Sequence, residues 1–593
     1  MSQVQSRVGA ESILIADCGS ARTKVVLLDI VSGQYRFVAF AESASTVNDP
    51  WDDVSLGVVS AIRQIEQTTG YLLLDDEGQL VTPIAESGRG VDRFLAVSSA
   101  VEPLSVVLVG LSRDVSLASA RRAARTTYSR IVDELALEQD VDLDKPRTDD
   151  AKINALWHAL PDVICIVGGT DGGAVDPVLD LVHNVVRVAL YLSGERVPTV
   201  IYAGNAQLRE EIKKEIGEIA SLHIVDNVRP SAQVENIGPL AEELEVCFYD
   251  QQLKYLPGNT VLSDWGAPVV LPVARASDYT TRYCQQSWQS DKPAMSIDLG
   301  SASLTMNVCQ SGHPLTAVRN DLGLGYELQR LLELIPLEDI LRWVPYDLPV
   351  NEARNRLMDK ALHPNTVAQT REDLLLELAI AREAVRLALR DLWPGWQGRS
   401  DGRQRDLLIP ACDPLIAGGG FVAHLPYHGY AALMLLDALQ PVGVSGLYLD
   451  EYNLMPSLGA VASVQPLALV QTVHNGGLTF LGTAVVPMGH AMRGSRALAV
   501  RPIEASAGAS LEVRYGALKA IPAGTYKPGT MLEIIPARSL DIGEGSGKSV
   551  RVAYREGTVG LILDARGRPL DLAGDPEARH QQLDSWLWEM MSI

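Results

Sequence analysis

Cations, cysteine and long apolar runs are all scarce in this 593-residue chain, and each shortage removes a class of function. Lys and Arg number 51 against 73 Asp and Glu, a formal net charge of −22 at pH 7. Non-specific binding to nucleic acid or to an anionic membrane is driven by positive surface, so neither is expected as a partner. No window of 18 residues is free of Pro, charge or polar breaks, and the opening MSQVQSRVGAES lacks the apolar core of a signal peptide. A cytoplasmic protein is therefore expected. The six cysteines, Cys18, Cys165, Cys247, Cys284, Cys309 and Cys412, stand far apart, with no Cys-x-x-Cys and no nearby His pair. They read as reduced thiols, mostly buried, and not as a disulfide frame or a zinc site.

Apolar residues, by contrast, make up 47% of the chain and charged residues 21%, the balance of a globular protein. The length is too great for one core, so three or four domains of about 100 to 200 residues each are expected. Strand-like runs at 12–17, 24–29 and 34–42 lead to a helix near 51–69, whose acidic start suits a helix dipole. From 104 to 226 short, continuously apolar strands alternate with helical stretches: LSVVLVGL, a helix through SLASARRAARTTYSRIVDELA, DVICIVGG, a helix through DPVLDLVHNVVRVALYL, TVIYAGN, a helix through AQLREEIKKEI, and SLHIVD. Strands apolar on both faces point to a parallel sheet of βαβ units. A helix-rich stretch at 325–393 precedes RQRDLLIPACDPLIAGGGFVAHLP (403–426), where an apolar strand runs into three glycines. Beyond about 497 the chain reads as β-rich, closing on a helix near 575–592.

One duplication organises the rest. AMSIDLGSASLTMNVCQSGHPLTAV (294–318) repeats the pattern of ILIADCGSARTKVVLLD and of the Ser-Gly turn and strand after it. Asp17, Gly19 and Ser20 recur 281 residues later as Asp298, Gly300 and Ser301, and Ser32-Gly33 recurs as Ser311-Gly312. Two halves of related architecture facing each other are expected. A carboxylate at a strand end, followed by a turn without a Cβ at its tightest point, leaves room for a phosphate against the backbone. Ser20 and Thr23 add hydroxyls, Lys24 adds positive charge, and Asp17 is placed to hold magnesium. Asp298 would hold metal or orient a water from the opposite wall, with Gly300 and Ser301 on the phosphates. Gly418, Gly419 and Gly420 would let a base or ribose lie against the chain. Taken singly, each Asp-x-Gly is ordinary hairpin chemistry. The duplicate and the triple glycine in this order point to a bound nucleotide with Mg2+.

These strings match something known. DCGSARTK, DLGSASLT and IAGGGF resemble the first phosphate, second phosphate and adenosine motifs of the superfamily of actin, heat-shock-protein and sugar-kinase ATPases. SSAVEPLSVVLVGL, PDVICIVGGTDGG, VIYAGN, DNVRP and RNDLGLG resemble the MutL family encoded beside glutamate mutase, which is unrelated to the mismatch-repair protein of the same name. The resemblance covers roughly residues 10–490 and implies an α/β, actin-like ATPase fold with two duplicated ribonuclease-H-like halves. The expected division is 8–95 for the first half, 96–250 for an inserted doubly wound domain, 251–490 for the second half and 497–593 for a C-terminal β-rich domain outside the resemblance. It also implies a supporting role for an adenosylcobalamin-dependent mutase, by analogy with reactivating factors that use ATP to exchange damaged cobalamin. The family's second phosphate motif usually reads Asp-x-Gly-Gly-Ala-Thr-Thr-Asp. Here Leu304, Thr305 and Met306 follow Ser303, so a second carboxylate is missing and slow hydrolysis, or binding with little turnover, is expected.

A small-molecule kinase of the same superfamily and an actin-like filament former both fit these motifs as well. The mutase itself does not, because Asp-x-His-x-x-Gly is absent and Asp180-Leu-Val-His183 has the wrong spacing. Asp171 and Asn205 sit at strand ends where doubly wound sheets bind ligands, or serve as helix-entry caps. Arg121, Arg122, Arg125 and Arg130 are expected on one solvated helix face. A metal-binding pair at His424 and His428 lacks a third ligand, and His474 and Asn475 read as a turn. Trp586, Trp588, Met590 and Met591 are expected to pack on the β-rich domain, with a homo-oligomer left open.

Overall fold

The hydrophobic runs on either side of the first acidic bend pair with each other, and the same event occurs twice. The computed structural model describes residues 11–138, 147–194, 196–288, 291–397, 409–504 and 508–591, with residues 393–397 as backbone only. Residues 1–10, the 403–408 start of the RQRDLL run, and the final two residues lie outside the described residues. The chain forms two units, one from Met1–Ala100, Pro257–Thr316 and Asp321–Ile593, the other from Val101–Leu256 and Ala317–Asn320.

In the first unit, Ile13–Cys18, Arg22–Val31 and Gln34–Ala44 form an antiparallel meander, and Arg93–Ser98 joins the free side of the first strand in parallel. The short Leu271–Pro272 completes the sheet. Counted by appearance, the strand order is third, second, first, fourth, fifth. Ala294–Leu299, Leu304–Gln310, His313–Arg319, Leu415–Gly418 and Gly443–Leu449 repeat that order in an eight-stranded sheet. Both meanders turn on Ser-Gly with matching left-handed backbone, φ 55° and 81° at Ser32-Gly33 and 51° and 78° at Ser311-Gly312. Such turns suit the twist of a hairpin.

The helix Val54–Thr69 covers the first meander. Asp53 caps it by accepting from the Ser55 amide at 2.9 Å, which is why it begins three residues later than the acidic run suggests. Val58, Ala61, Ile62 and Ile65, at helical spacing, are buried. Ile13, Ile15, Val26 and Leu28 share one core with Ile416, Tyr448, Leu454 and Leu458 from the repeat. Between them the helices Val273–Ser287 and Leu454–Ala462 approach so closely that a Cβ on Gly459 would stand 1.8 Å from the Ala276 carbonyl oxygen.

The second unit is an all-parallel sheet of Leu104–Gly110, Ser129–Ala136, Val163–Ile166, Thr199–Tyr202 and Leu222–Ile224, in the order second, first, third, fourth, fifth. This is a doubly wound arrangement. One expected helix here is shorter than its pattern: Ala118–Ala124 stops, and SRIVDELA becomes the strand Ser129–Ala136. Hydroxyls end it, because Thr126 Oγ1 donates to the Ala123 carbonyl at 2.8 Å and Ser129 Oγ to that of Ala124. Arg130 therefore lies on a strand, so the four arginines do not share a helix face. Arg121 and Arg122 are taken by Glu134 and Glu235.

The residues after 490 serve three sheets, the smallest a pairing of Leu540–Asp541 with Met488–Gly489. Arg496–Pro502, Leu511–Arg514, Met531–Pro536 and Val550–Ala553 form a four-stranded sheet. Gly560–Asp564 pairs in parallel with Thr479–Val486, and Leu518–Ile521 lies beyond it, so both extend the eight-stranded sheet. The closing helix, Pro576–Met591, buries Trp586 and Met590 but leaves Trp588 72% exposed. No helix among the described residues is long and apolar enough to cross a membrane.

Candidate functional site

Antiparallel pairing sets Asp17 directly opposite Lys24 and Cys18 opposite Thr23. Opposed residues share a face and neighbours alternate, so Asp17 and Lys24 project together while Thr23 points the other way. Lys24 Nζ lies 3.6 Å from Asp17 Oδ2.

Asp17 and Lys24 open onto a cavity of about 940 Å³, its open mouth included, that lies wholly within the first unit. Asp17, Gly19, Ser20 and Lys24 line it from the first hairpin, Asp298, Gly300 and Ser301 from the second, and Gly420 from the triple glycine. Thr23 does not line it. That residue is fully buried beneath the covering helix, its hydroxyl 2.9 Å from where a Cβ on Gly57 would be. The two bends are built alike. The Gly19 amide donates to the Arg22 carbonyl at 3.1 Å and the Gly300 amide to that of Ser303 at 2.9 Å, which leaves the tips, Ser20-Ala21 and Ser301-Ala302, for the cavity wall. A Cβ on either glycine would press on that same carbonyl oxygen, at 2.8 and 2.9 Å. The halves differ in their cations: Ser303 stands where the first bend has Arg22, and the position opposite Asp298 is Thr305, so only the first bend carries an arginine and a lysine.

Gly418 and Gly419 do not line the cavity. Gly418 pairs with Asp298 in the parallel ladder, and Gly419, at φ 93°, passes so near that a Cβ would lie 2.5 Å from Asp298 Oδ1. The bare Gly419 admits the Asp298 carboxylate, Gly418 lies against Asp450, and of the three glycines Gly420 alone offers backbone to a ligand.

Three carboxyls, Asp17 and Asp450 buried and Asp298 half-buried, converge around Lys24. Burial raises the Asp17 carboxyl above its usual range against the pull of Lys24 and a hydrogen bond from Asn453 Nδ2. Asp298 is pushed up to about 6 by burial, opposed by Lys24 and reinforced by the Asp17 charge. Asp450, which the sequence analysis missed, is also raised to about 6 by burial, although it accepts from the Leu454 and Met455 amides at 2.6 and 2.8 Å and so caps Leu454–Ala462. Its signal was there in an acid ending the apolar run SGLYL. Asp17 Oδ1 is buried and has no hydrogen-bond partner among the described residues. A pair of carboxylates with an unpartnered oxygen, facing a cavity of oxygen donors and cations, suits a hard divalent ion such as magnesium.

The remaining charges of the wall were not read from sequence. Arg22 shares the face of Lys24, pairs with Glu42 and donates to the Asn365 carbonyl at 2.8 Å. His424 Nε2 meets Glu42 at 2.9 Å while Nδ1 faces the Gly420 carbonyl at 2.6 Å. Lys360 and Glu377 pair at 3.3 Å on the far wall. His428 bonds instead to Thr558 Oγ1, so the two histidines do not form a metal pair. In the second unit Asp171 accepts from the Ala206 amide and from Asn227, and buried Asn205 accepts from Gly172 and Gln207, so both lock turns. Asn475 holds the Tyr35 carbonyl, and His474 the Val470 carbonyl, in a turn of the first unit.

Two copies of one strand order, each presenting an acidic hairpin bend to a common cavity, define the actin-like ATPase fold. Within it, residues 13–476 match the family model described as MutL protein, and the chain belongs to that family. "Protein MutL" of Clostridium tetanomorphum is 23% identical over 399 residues, covering 64% of this chain and 78% of its own. Among solved structures, the ethanolamine utilization protein EutJ from Carboxydothermus hydrogenoformans is 10% identical, with 76% of this chain and 88% of that one covered and a TM-score of 0.26. Gluconate kinase from Lactobacillus acidophilus is 11% identical, with 80% and 93% covered and a TM-score of 0.28. Both scores are too low to superpose whole chains, and the fold rests on the strand order.

Proposed function

We propose that this MutL-family chain binds ATP with magnesium between its two acidic bends, hydrolyses it slowly, and uses the nucleotide state to change the surface it offers an adenosylcobalamin-dependent mutase. In this reading 8–95 and 251–490 are the cleft halves, 96–250 is the inserted domain and 497–593 the appended one. The observation that carries it is the meeting of Asp17, with its unpartnered buried oxygen, Asp298 and Lys24 on one cavity. Lys24 would neutralise phosphate charge, Ser20 and Ser301 would donate hydroxyl protons, and Arg22 stands beside them on the same face. Gly420 would lie under the nucleoside. Magnesium supplies charge neutralisation across the phosphate oxygens when bound. Thr305 opposite Asp298, and Met306 after it, leave the second bend with one carboxylate for both metal and water, which favours slow turnover.

Titration calorimetry tests the binding. The wild type is expected to bind ATP in magnesium buffer, and Asp17→Asn to bind it at least tenfold more weakly; no heat from the wild type removes the reading. Capture from native lysate in ATP and in ADP tests the partner. A cobalamin mutase retained in one state only supports the switch, and its absence from both removes that part.

A further inference from the structure

A second cluster of ligand-type side chains lies in the doubly wound unit. His223 stands on the last strand of its sheet, Leu222–Ile224, and Glu243 and Cys247 on the helix Gly238–Gln251. Four residues apart, Glu243 and Cys247 leave that helix from one face. One ring nitrogen of His223, one Glu243 oxygen and the Cys247 sulfur all lie within 4.8 Å of one another. The ring is already oriented: Nδ1 faces Glu243 Oε1, while Ser221 Oγ lies 3.2 Å from Nε2. A partner on the far nitrogen is the support that metal-bound histidines have. Burial, with the charges of Glu243 and Asp250, pushes the Cys247 thiol up to about 12, so the ion-free group is a neutral thiol in a negative field.

We propose that His223, Glu243 and Cys247 bind a divalent ion of the zinc class, with water in the fourth position. Mixed nitrogen, sulfur and carboxylate donors suit zinc and its borderline neighbours and disfavour magnesium. Bonds of about 2.0 to 2.3 Å set tetrahedral ligand atoms roughly 3.3 to 3.8 Å apart, so the His223–Glu243 contact opens slightly and the sulfur moves in. Binding releases the Cys247 proton to solvent, and the Nδ1 proton where the ring carries it there, and the sulfur becomes a thiolate ligand. The ion would tie a three-residue edge strand to the helix Gly238–Gln251. Ligands at 223, 243 and 247 make no metal-binding motif, which is why the cysteine spacing gave no sign of it.

Cobalt reports on sulfur ligation and so separates this site from the nucleotide cavity, whose carboxylates offer oxygen alone. The full chain, freed of metal by a chelator, is titrated with Co2+ and then Zn2+. One equivalent of Co2+ is expected to raise a near-ultraviolet thiolate-to-metal band, which one equivalent of Zn2+ bleaches. Cys247→Ser should abolish the band, Glu243→Gln, at a partly exposed position, should weaken binding at least tenfold, and Cys309→Ser should leave both intact. Far-ultraviolet circular dichroism checks that each variant folds. No sulfur band in the wild type, a band that survives Cys247→Ser, or unchanged affinity in folded Glu243→Gln overturns the assignment.

Discussion

Asp298 shows what a single residue costs the fold before any ligand arrives. Its carboxyl, ordinarily near 3.8, is held at about 6, so the folded chain binds that proton more tightly than the unfolded chain does. The contribution to stability is full below about pH 4 and is lost as the pH rises through 6, so at neutral pH the ionised group is a burden on the ligand-free fold. Asp298→Asn is therefore expected to stabilise the ligand-free protein at pH 7.5 by on the order of 1–2 kcal/mol, the gap between the two values discounted for partial exposure. The same variant should lose the stabilisation by ATP and magnesium that the proposed function expects of the wild type. Thermal denaturation with and without the ligand measures both, and a less stable Asp298→Asn would contradict the account. Much of the site was legible at this scale. Asp17, Gly19, Ser20, Lys24, Asp298, Gly300, Ser301 and Gly420 are residues whose types and spacing announce a bend at a strand end. Thr23 was misplaced although the strand period separates it from Lys24, and the same period would have added Arg22. Glu42 and His424 could not be read, since their meaning lies in meeting each other from positions 382 residues apart.

Among elements, several contacts join the first meander to the segments that come after the second, among them Asp17 with Asn453, Arg22 with Asn365, and, last, Glu42 with His424. The last is pH-sensitive. A hydrogen bond donated to Glu42 leads the causes that raise His424 above its usual 6.5, with help from the Gly420 carbonyl and the Glu42 charge and opposition from burial and Arg22. The favourable pairing is complete below 6.5 and fades as the pH climbs through the raised value. Hydrogen exchange, corrected for its intrinsic rate, should therefore speed up at 420–425 between pH 6.5 and 9, and Glu42→Gln should flatten that dependence. An unchanged profile in the variant would mean that another group controls the cleft. The strands were legible because continuous apolar runs admit few alternatives. The helix expected through 116–136 was not, because its end depends on two hydroxyls reaching back to carbonyls, a choice that hydrophobic period does not encode.

For the whole molecule, the decisive feature is a buried chain of charges. Arg382 and Arg566 share Asp437 at 2.8 and 2.7 Å, and Arg566 and Arg568 share Asp564 at 2.8 and 2.6 Å, all almost without exposure. The arginines hold Asp564 far below the carboxylate range. Trp586 covers the Arg566 guanidinium at 4.4 Å. Removing one partner of such a network leaves a buried charge uncompensated, so Arg566→Met is expected to cost about 3 to 5 kcal/mol by denaturant titration. A chain ending at 490 would lose Arg566, Asp564 and the strand beside Thr479–Val486 together. It is expected to bind no ATP and to lack a cooperative unfolding transition; a stable, ATP-binding fragment would show the network to be dispensable. The composition of 497–593 announced β-structure but not this dependence, which is a matter of pairing partners and not of local pattern.

The parallel neighbour of Thr479–Val486 is Gly560–Asp564, encoded some 75 residues downstream. A ribosome must therefore translate Gly560–Asp564 before the half that carries Asp298 can complete its sheet. Until then the nascent chain carries an open strand edge along Thr479–Val486.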